Sequence, residues 1–119
     1  MDKIIVVTTN YIPGMKITEV KGHAFGLIVR SRNIGSTIVA KLRSLAGGEI
    51  VEYTNMLAKS REEAIQRLEE SAIAIKANAV IGLSFDSSEM GETMTEIIAY
   101  GTAVVVEKET AKVDPVSLR

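Results

Sequence analysis

The sequence predicts an α+β fold, an antiparallel or mixed sheet with two helices in the order ββααββ, and three observations lead there. β-branched, extended segments occupy both ends of the chain. Two stretches of helical periodicity fill the middle, separated by Gly47-Gly48. The two longest extended segments each narrow to small residues at their centres, as a sheet does where a helix lies close.

Taken in order, Ile4 to Thr9 reads as a short strand, closed by the turn signal Pro13-Gly14. Lys16 to Arg30 reads as extended. As one straight strand it would span about 50 Å, well beyond the usual 17–20 Å, so a bend or bulge is expected near Gly22 or Gly26. Asn33 to Ala46 carries Ile34, Ile38, Leu42 and Leu45 on one helical face, and Gly47-Gly48 stops that helix. A longer helix is expected from Glu49 to Lys76. Ala79 to Asp86 is the next strand, a turn rich in Ser and Gly follows, and Thr93 to Glu107 is the last strand. The whole chain, 1–119, is read as one domain, with 109–119 a polar tail that frays.

The long helix contains an unexpected arginine. Ile50, Leu57, Ala64, Ile65, Leu68, Ala72 and Ile75 form an apolar stripe about 100° wide, and Arg61 falls in the middle of it. Glu52, Lys59, Glu62, Glu63, Gln66, Glu69 and Glu70 lie on the opposite, solvated side. A guanidinium on a core-facing stripe needs a partner, because an unpaired buried charge is costly. Asp86 is the expected partner, with Glu96 or Glu49 next. From Arg61 to Ala77 the helix runs about 24 Å, and from Ala79 to Asp86 the strand runs about 23 Å, so both arrive at one level. Asp86 also shares strand parity with Gly82, a position small enough to admit the helix. The alternative role for Arg61 is an anion clamp, its fork reaching a carboxylate or phosphate ligand.

The sheet points to self-association. Val20, Gly22, Ala24, Gly26 and Ile28 share one face of the first long strand; Ile97, Ala99, Gly101, Ala103 and Val105 share one face of the last. The opposite faces hold Phe25, Leu27 and Val29, and Ile98, Tyr100, Val104 and Val106. A sheet apolar on both sides needs two covers, and a second copy of the chain is the natural second one.

Composition narrows the function classes. A formal charge of −1, with no run of five like charges, lacks the basic face expected for nucleic acid. No cysteine is present, which excludes disulfides, thiolate catalysis and cysteine-bound metal. No segment reaches 18 apolar residues, and MDKIIVVTTN reads as a first strand rather than a signal peptide, so the expected location is the cytoplasm, away from membranes.

The chemistry-bearing residues mostly have structural readings. His23 shares a strand face with Glu19, the pairing a general base would need. Tyr53 and Tyr100 can donate to a ligand or anchor packing. Gly47-Gly48 lacks the Gly-Lys-Ser/Thr of a phosphate loop. Ser84, Ser87 and Ser88 lack a nucleophile elbow. Met90 and Met94 could offer thioethers, and Asp86, Glu89 and Glu92 oxygens, but without a calcium-loop pattern.

Pro13-Gly14, Gly47-Gly48-Glu49, Tyr53-Thr54, Arg61 with Ala64 three later, ANAV at 77–80 and AYGTAV at 99–104, taken together in this order, resemble the YbjQ-like family. Its members are small, uncharacterised prokaryotic proteins labelled heavy-metal-binding. The resemblance covers most of the chain, from the first strand to Val106. It implies a subunit related to dodecin-like folds, a pentameric ring and no assigned activity.

The expected function is a homo-oligomeric, pentameric module that binds a small anion at clefts between subunits, through Arg61, Asp86, Tyr53 and Tyr100. No catalytic residue, metal or cofactor is assigned. The alternatives are a heavy-metal-binding protein, as the family label has it, or an enzyme built around Arg61 and Asp86.

Overall fold

A computed structural model describes residues 4–31, 51–91 and 94–109; the side chains at 51–53 and 90 fall outside the description. The elements are β1 (Ile5–Val6), β2 (Met15–Ser31), α1 (Val51–Ala74), β3 (Ala79–Met90) and β4 (Met94–Lys108). They form one four-stranded mixed sheet in the order β1-β3-β4-β2.

That arrangement overturns the expected ββααββ architecture. Among the described residues there is one helix, and the expected first helix, Asn33 to Ala46, lies outside them with Gly47-Gly48. The opening strand does not pair with its neighbour in sequence. β1 runs parallel to β3, Ile5 opposite Ala79, and the chain then crosses the sheet before β2 begins. Backbone hydrogen bonds hold that crossing: Val7 N–H to Val80 O at 2.9 Å, Gly82 N–H to Thr9 O at 2.8 Å, and Leu83 N–H to Val7 O at 3.0 Å. The described topology gives the dodecin-like comparison and its ring no support.

β2 and β4 pair antiparallel along nearly their whole lengths. The length of β2 is accommodated by register shifts between Ile17 and Glu19 and between Val20 and Gly22. The expected bend thus occurs at Gly22, not Gly26. β3 continues past Asp86 to Met90, which sits opposite Met94 across the turn at Gly91. Ser87 and Ser88, expected in the turn, therefore belong to the strand with Ser84.

The helix packs on the face that the small residues mark. Its fully buried line is Ser60, Ala64, Leu68 and Ala72, spaced by four, against Ala24, Ile28, Ile97, Ala99, Ala103 and Val80. Narrow side chains on both surfaces bring the backbones together at Gly26. The helix ends where Lys76 turns left-handed (φ 70°); Ala77 N–H reaches Ala72 O at 3.0 Å and Lys76 N–H reaches Ile73 O at 2.9 Å.

Among the described residues, the other face has a core at one end. Ala79, Val104 and Val106 are buried there beneath Ile5, Ile12, Met15 and Ile81. Asn78 ties the same end together, donating from Nδ2 to Val106 O at 3.0 Å and accepting from Val106 N–H at 2.8 Å. Farther along this face Phe25, Leu27, Val29 and Tyr100 remain exposed.

Candidate functional site

Arg61 lies one step off the buried line of α1. Ser60, not Arg61, faces the sheet, while Leu57 and Ile75, expected in the core, are exposed. The reason is steric: the contact with Gly26 and Ala99 selects the smallest side chains and rotates the larger ones to its margins. From that margin the Arg61 guanidinium stacks on the Phe85 ring, 4.3 Å from its centroid. Together with Leu57, Asp86, Ser87 and Ile97 the pair lines a cleft of about 200 Å³ between α1 and β3.

Asp86 does not complete the expected ion pair. No Arg61–Asp86 salt bridge, with N···O within 4.0 Å, occurs among the described residues. The cause is a bulge in β3. Ile81 pairs with Thr102 and Ser84 with Tyr100, so three residues of β3 advance against two of β4. Gly82 adopts φ 66° within this bulge, a conformation that side chains disfavour. The extra residue reverses strand parity. Phe85 joins the helix-facing row with Ala99 and Gly26, and Asp86 joins Ile98 and Leu27 on the opposite face. A double-mutant cycle of Arg61→Ala and Asp86→Asn, read by urea denaturation, is therefore expected to show coupling below about 0.5 kcal/mol. Coupling above about 1 kcal/mol would restore the pair.

Arg30, on β2, reaches the helix instead. Its Nε donates to Ser60 Oγ at 3.1 Å and its guanidinium pairs with Glu63. The signal was present in the sequence, because Arg30 continues the parity of Ala24, Gly26 and Ile28. Two further helix side chains satisfy the outer edge of β2: Arg67 Nη1 donates to Leu27 O at 2.9 Å, and Ser71 Oγ accepts from Phe25 N–H at 3.2 Å. They cover backbone groups that an edge strand otherwise leaves open to another chain.

Of the other candidates, Tyr100 sits between Phe25 and Ser84 on the face away from the helix, apart from the cleft. The Tyr53 side chain lies outside the described residues, as do Glu49 and Glu92. Glu96 accepts from Ser88 Oγ at 3.1 Å instead of meeting Arg61. His23 stacks on Phe25 with centroids 6.2 Å apart, while Glu19 pairs with Lys21 at 3.0 Å.

These features can be set against known proteins. A family model described as "Putative heavy-metal-binding" matches residues 4–107. A UPF0145 protein of Methanoregula boonei is 63% identical over 117 residues, covering 98% of each chain. The chain belongs to the YbjQ-like, UPF0145 family. Another UPF0145 protein, from Thermoplasma volcanium, is 58% identical over 115 residues, covering 97% of this chain and 94% of its own. A crystal structure of a Pediococcus pentosaceus protein of unknown function, assigned to the DUF74 family, superposes with a TM-score of 0.64. It covers 87% of this chain and 98% of its own at 16% identity, a likeness of fold.

The family's metal label does not fit the donor chemistry of this member. Of the soft ligands that heavy metals select, thiolate, imidazole and thioether, this chain has no cysteine and one histidine, stacked on a strand surface, which leaves only methionine thioethers. No three of His, Asp and Glu among the described residues converge as a metal-binding group. Among the same residues no helix is long and apolar enough to cross a membrane.

Proposed function

We propose that this chain is a homo-oligomeric module without catalysis, which holds a small anion at Arg61. The observation that carries the assembly is the half-covered sheet. Phe25 is 50% exposed and Tyr100 41%, with Leu27 and Val29 beside them in one register-matched patch. Apolar side chains clustered on one face in this way mark an interface. A second copy is the occupant that matches, since every copy carries the same unsatisfied face. Five subunits is the number the family resemblance implies.

Arg61 supports the anion half of this reading. Arg61 is exposed, its guanidinium lies over an aromatic ring, and it has no carboxylate within 4.0 Å among the described residues. The absence of catalysis is inferred from the separation of the polar candidates: His23 and Tyr100 lie away from the cleft, and Asp86, the carboxylate beside Ser87 in the described lining, belongs to the strand row that faces away from the helix.

Size-exclusion chromatography with light scattering tests the assembly. Wild-type protein at micromolar concentration is expected to elute as one oligomer of about five chains. Phe25→Glu combined with Tyr100→Glu is expected to yield folded monomers, with helical circular dichroism retained. A wild-type monomer at that concentration would refute the assembly.

A further inference from the structure

The cleft beside Arg61 has features that define its ligand more narrowly than "an anion". The Phe85 ring lies against the guanidinium, with Arg61 Cζ 4.3 Å from the ring centroid. Among the described residues no carboxylate pairs with its N–H groups, and that fork matches the two oxygens of a carboxylate. Leu57, Phe85 and Ile97 supply apolar walls around it, with Ile97 almost wholly buried. Ser87, two residues beyond Phe85, lies on the same side of β3 and brings a hydroxyl to the lining. Asp86 contributes to the lining, but its strand row faces away from the helix, with Ile98.

We propose that this cleft binds a small monocarboxylate with a short apolar tail, its carboxylate taken by Arg61 and its tail resting on Leu57, Phe85 and Ile97. The inference rests on the reading of Arg61 as an anion site and adds the class of ligand. Two magnitudes support it. The cleft, at about 200 Å³, falls below the roughly 300–1,000 Å³ that holds drug-sized ligands, so a nucleotide or a long acyl chain does not fit within it. Arg61 is the one cation among the described lining residues, which matches a single negative charge, whereas phosphate recognition gathers several donors or a helix N-terminus. The apolar walls favour a ligand with carbon beyond the carboxylate, because each buried methylene adds to affinity.

Isothermal titration of the full chain with four probes tests this, using 4-methylpentanoate, acetate, 4-methylpentanamide and inorganic phosphate. The branched carboxylate is expected to bind at least about tenfold tighter than acetate and than its neutral amide. Arg61→Met is expected to weaken it by about tenfold or more. Arg61→Lys, which keeps the charge and loses the planar fork, should also weaken it. Leu57→Ser, at an exposed position that leaves the fold intact, should weaken the branched acid and spare acetate. Backbone amide shifts on titration should centre on Leu57, Arg61, Phe85 and Ser87.

Amide binding as tight as the acid would overturn carboxylate recognition, and acetate as tight as the branched acid would remove the apolar subsite. Phosphate binding tighter than every carboxylate, lost in Arg61→Met, would overturn this ligand class and leave the anion reading standing. No binding by any anion, or binding unchanged in Arg61→Met, would defeat both.

Discussion

Replacing Gly26 by alanine is expected to cost about 3 kcal/mol or more of stability, and replacing it by valine to leave the chain unfolded at 37 °C. A Cβ built at this position would lie 2.0 Å from the Ala64 carbonyl oxygen, 2.5 Å from Leu68 N and 2.9 Å from the Arg67 Cβ. Two of those atoms are helix backbone, so no rotamer change relieves the clash. The helix itself must lift, and lifting it opens the layer between α1 and the sheet along Ala64, Leu68 and Ala72. Ordinary overpacking costs about 1–3 kcal/mol because side chains can yield; here the yielding element is a whole helix. Urea denaturation of Gly26→Ala measures this directly. A loss below about 1 kcal/mol would mean that the helix does not sit on this strand.

The second large effect separates two leucines that one helical stripe had grouped together. Leu68→Ala is expected to destabilise by about 3 kcal/mol, within the 2–5 kcal/mol range for a buried leucine, because Leu68 is 0% exposed in the layer that Gly26 permits. Leu57→Ala is expected to cost less than about 1 kcal/mol, since Leu57 is 39% exposed at the rim of the cleft. Thermal denaturation of both variants at a concentration that preserves the wild-type assembly compares them. Equal losses would return Leu57, and with it Arg61, to the buried face. Oligomerisation that covered Leu57 would show as a loss that depends on protein concentration.

Much of this contrast could be read before the structure. The Ala24, Gly26, Ile28 face and the Ala99, Ala103 face were legible because strand parity is local and small residues at alternate positions signal a close neighbour. That β2 must bend followed from its length, whereas the choice of Gly22 over Gly26 did not. The heavy side chains of the outer face, Phe25 and Tyr100, were visible as a surface in need of a cover, and the structure leaves that end of the face exposed. Arg30 is legible by the same parity as a helix-facing cation, whereas the place of Arg61 in the helical stripe points to a pairing that the structure does not make.

The sequence by itself determined the family, the long helix, the two long strands and the narrow faces through which they meet. Each of these depends on residues near one another in the chain, and periodicity records such relations directly. Tertiary structure alone decided that β1 joins β3 in parallel, that the helix buries Ser60 rather than Arg61, and that Asp86 faces away from it. The last of these turns on one additional residue at Gly82 and Leu83. A bulge leaves the alternation on either side intact and changes only how the two sides are joined. That phase is set by hydrogen bonds to β4, more than a dozen residues away, which explains why counting along β3 placed Asp86 on the wrong face.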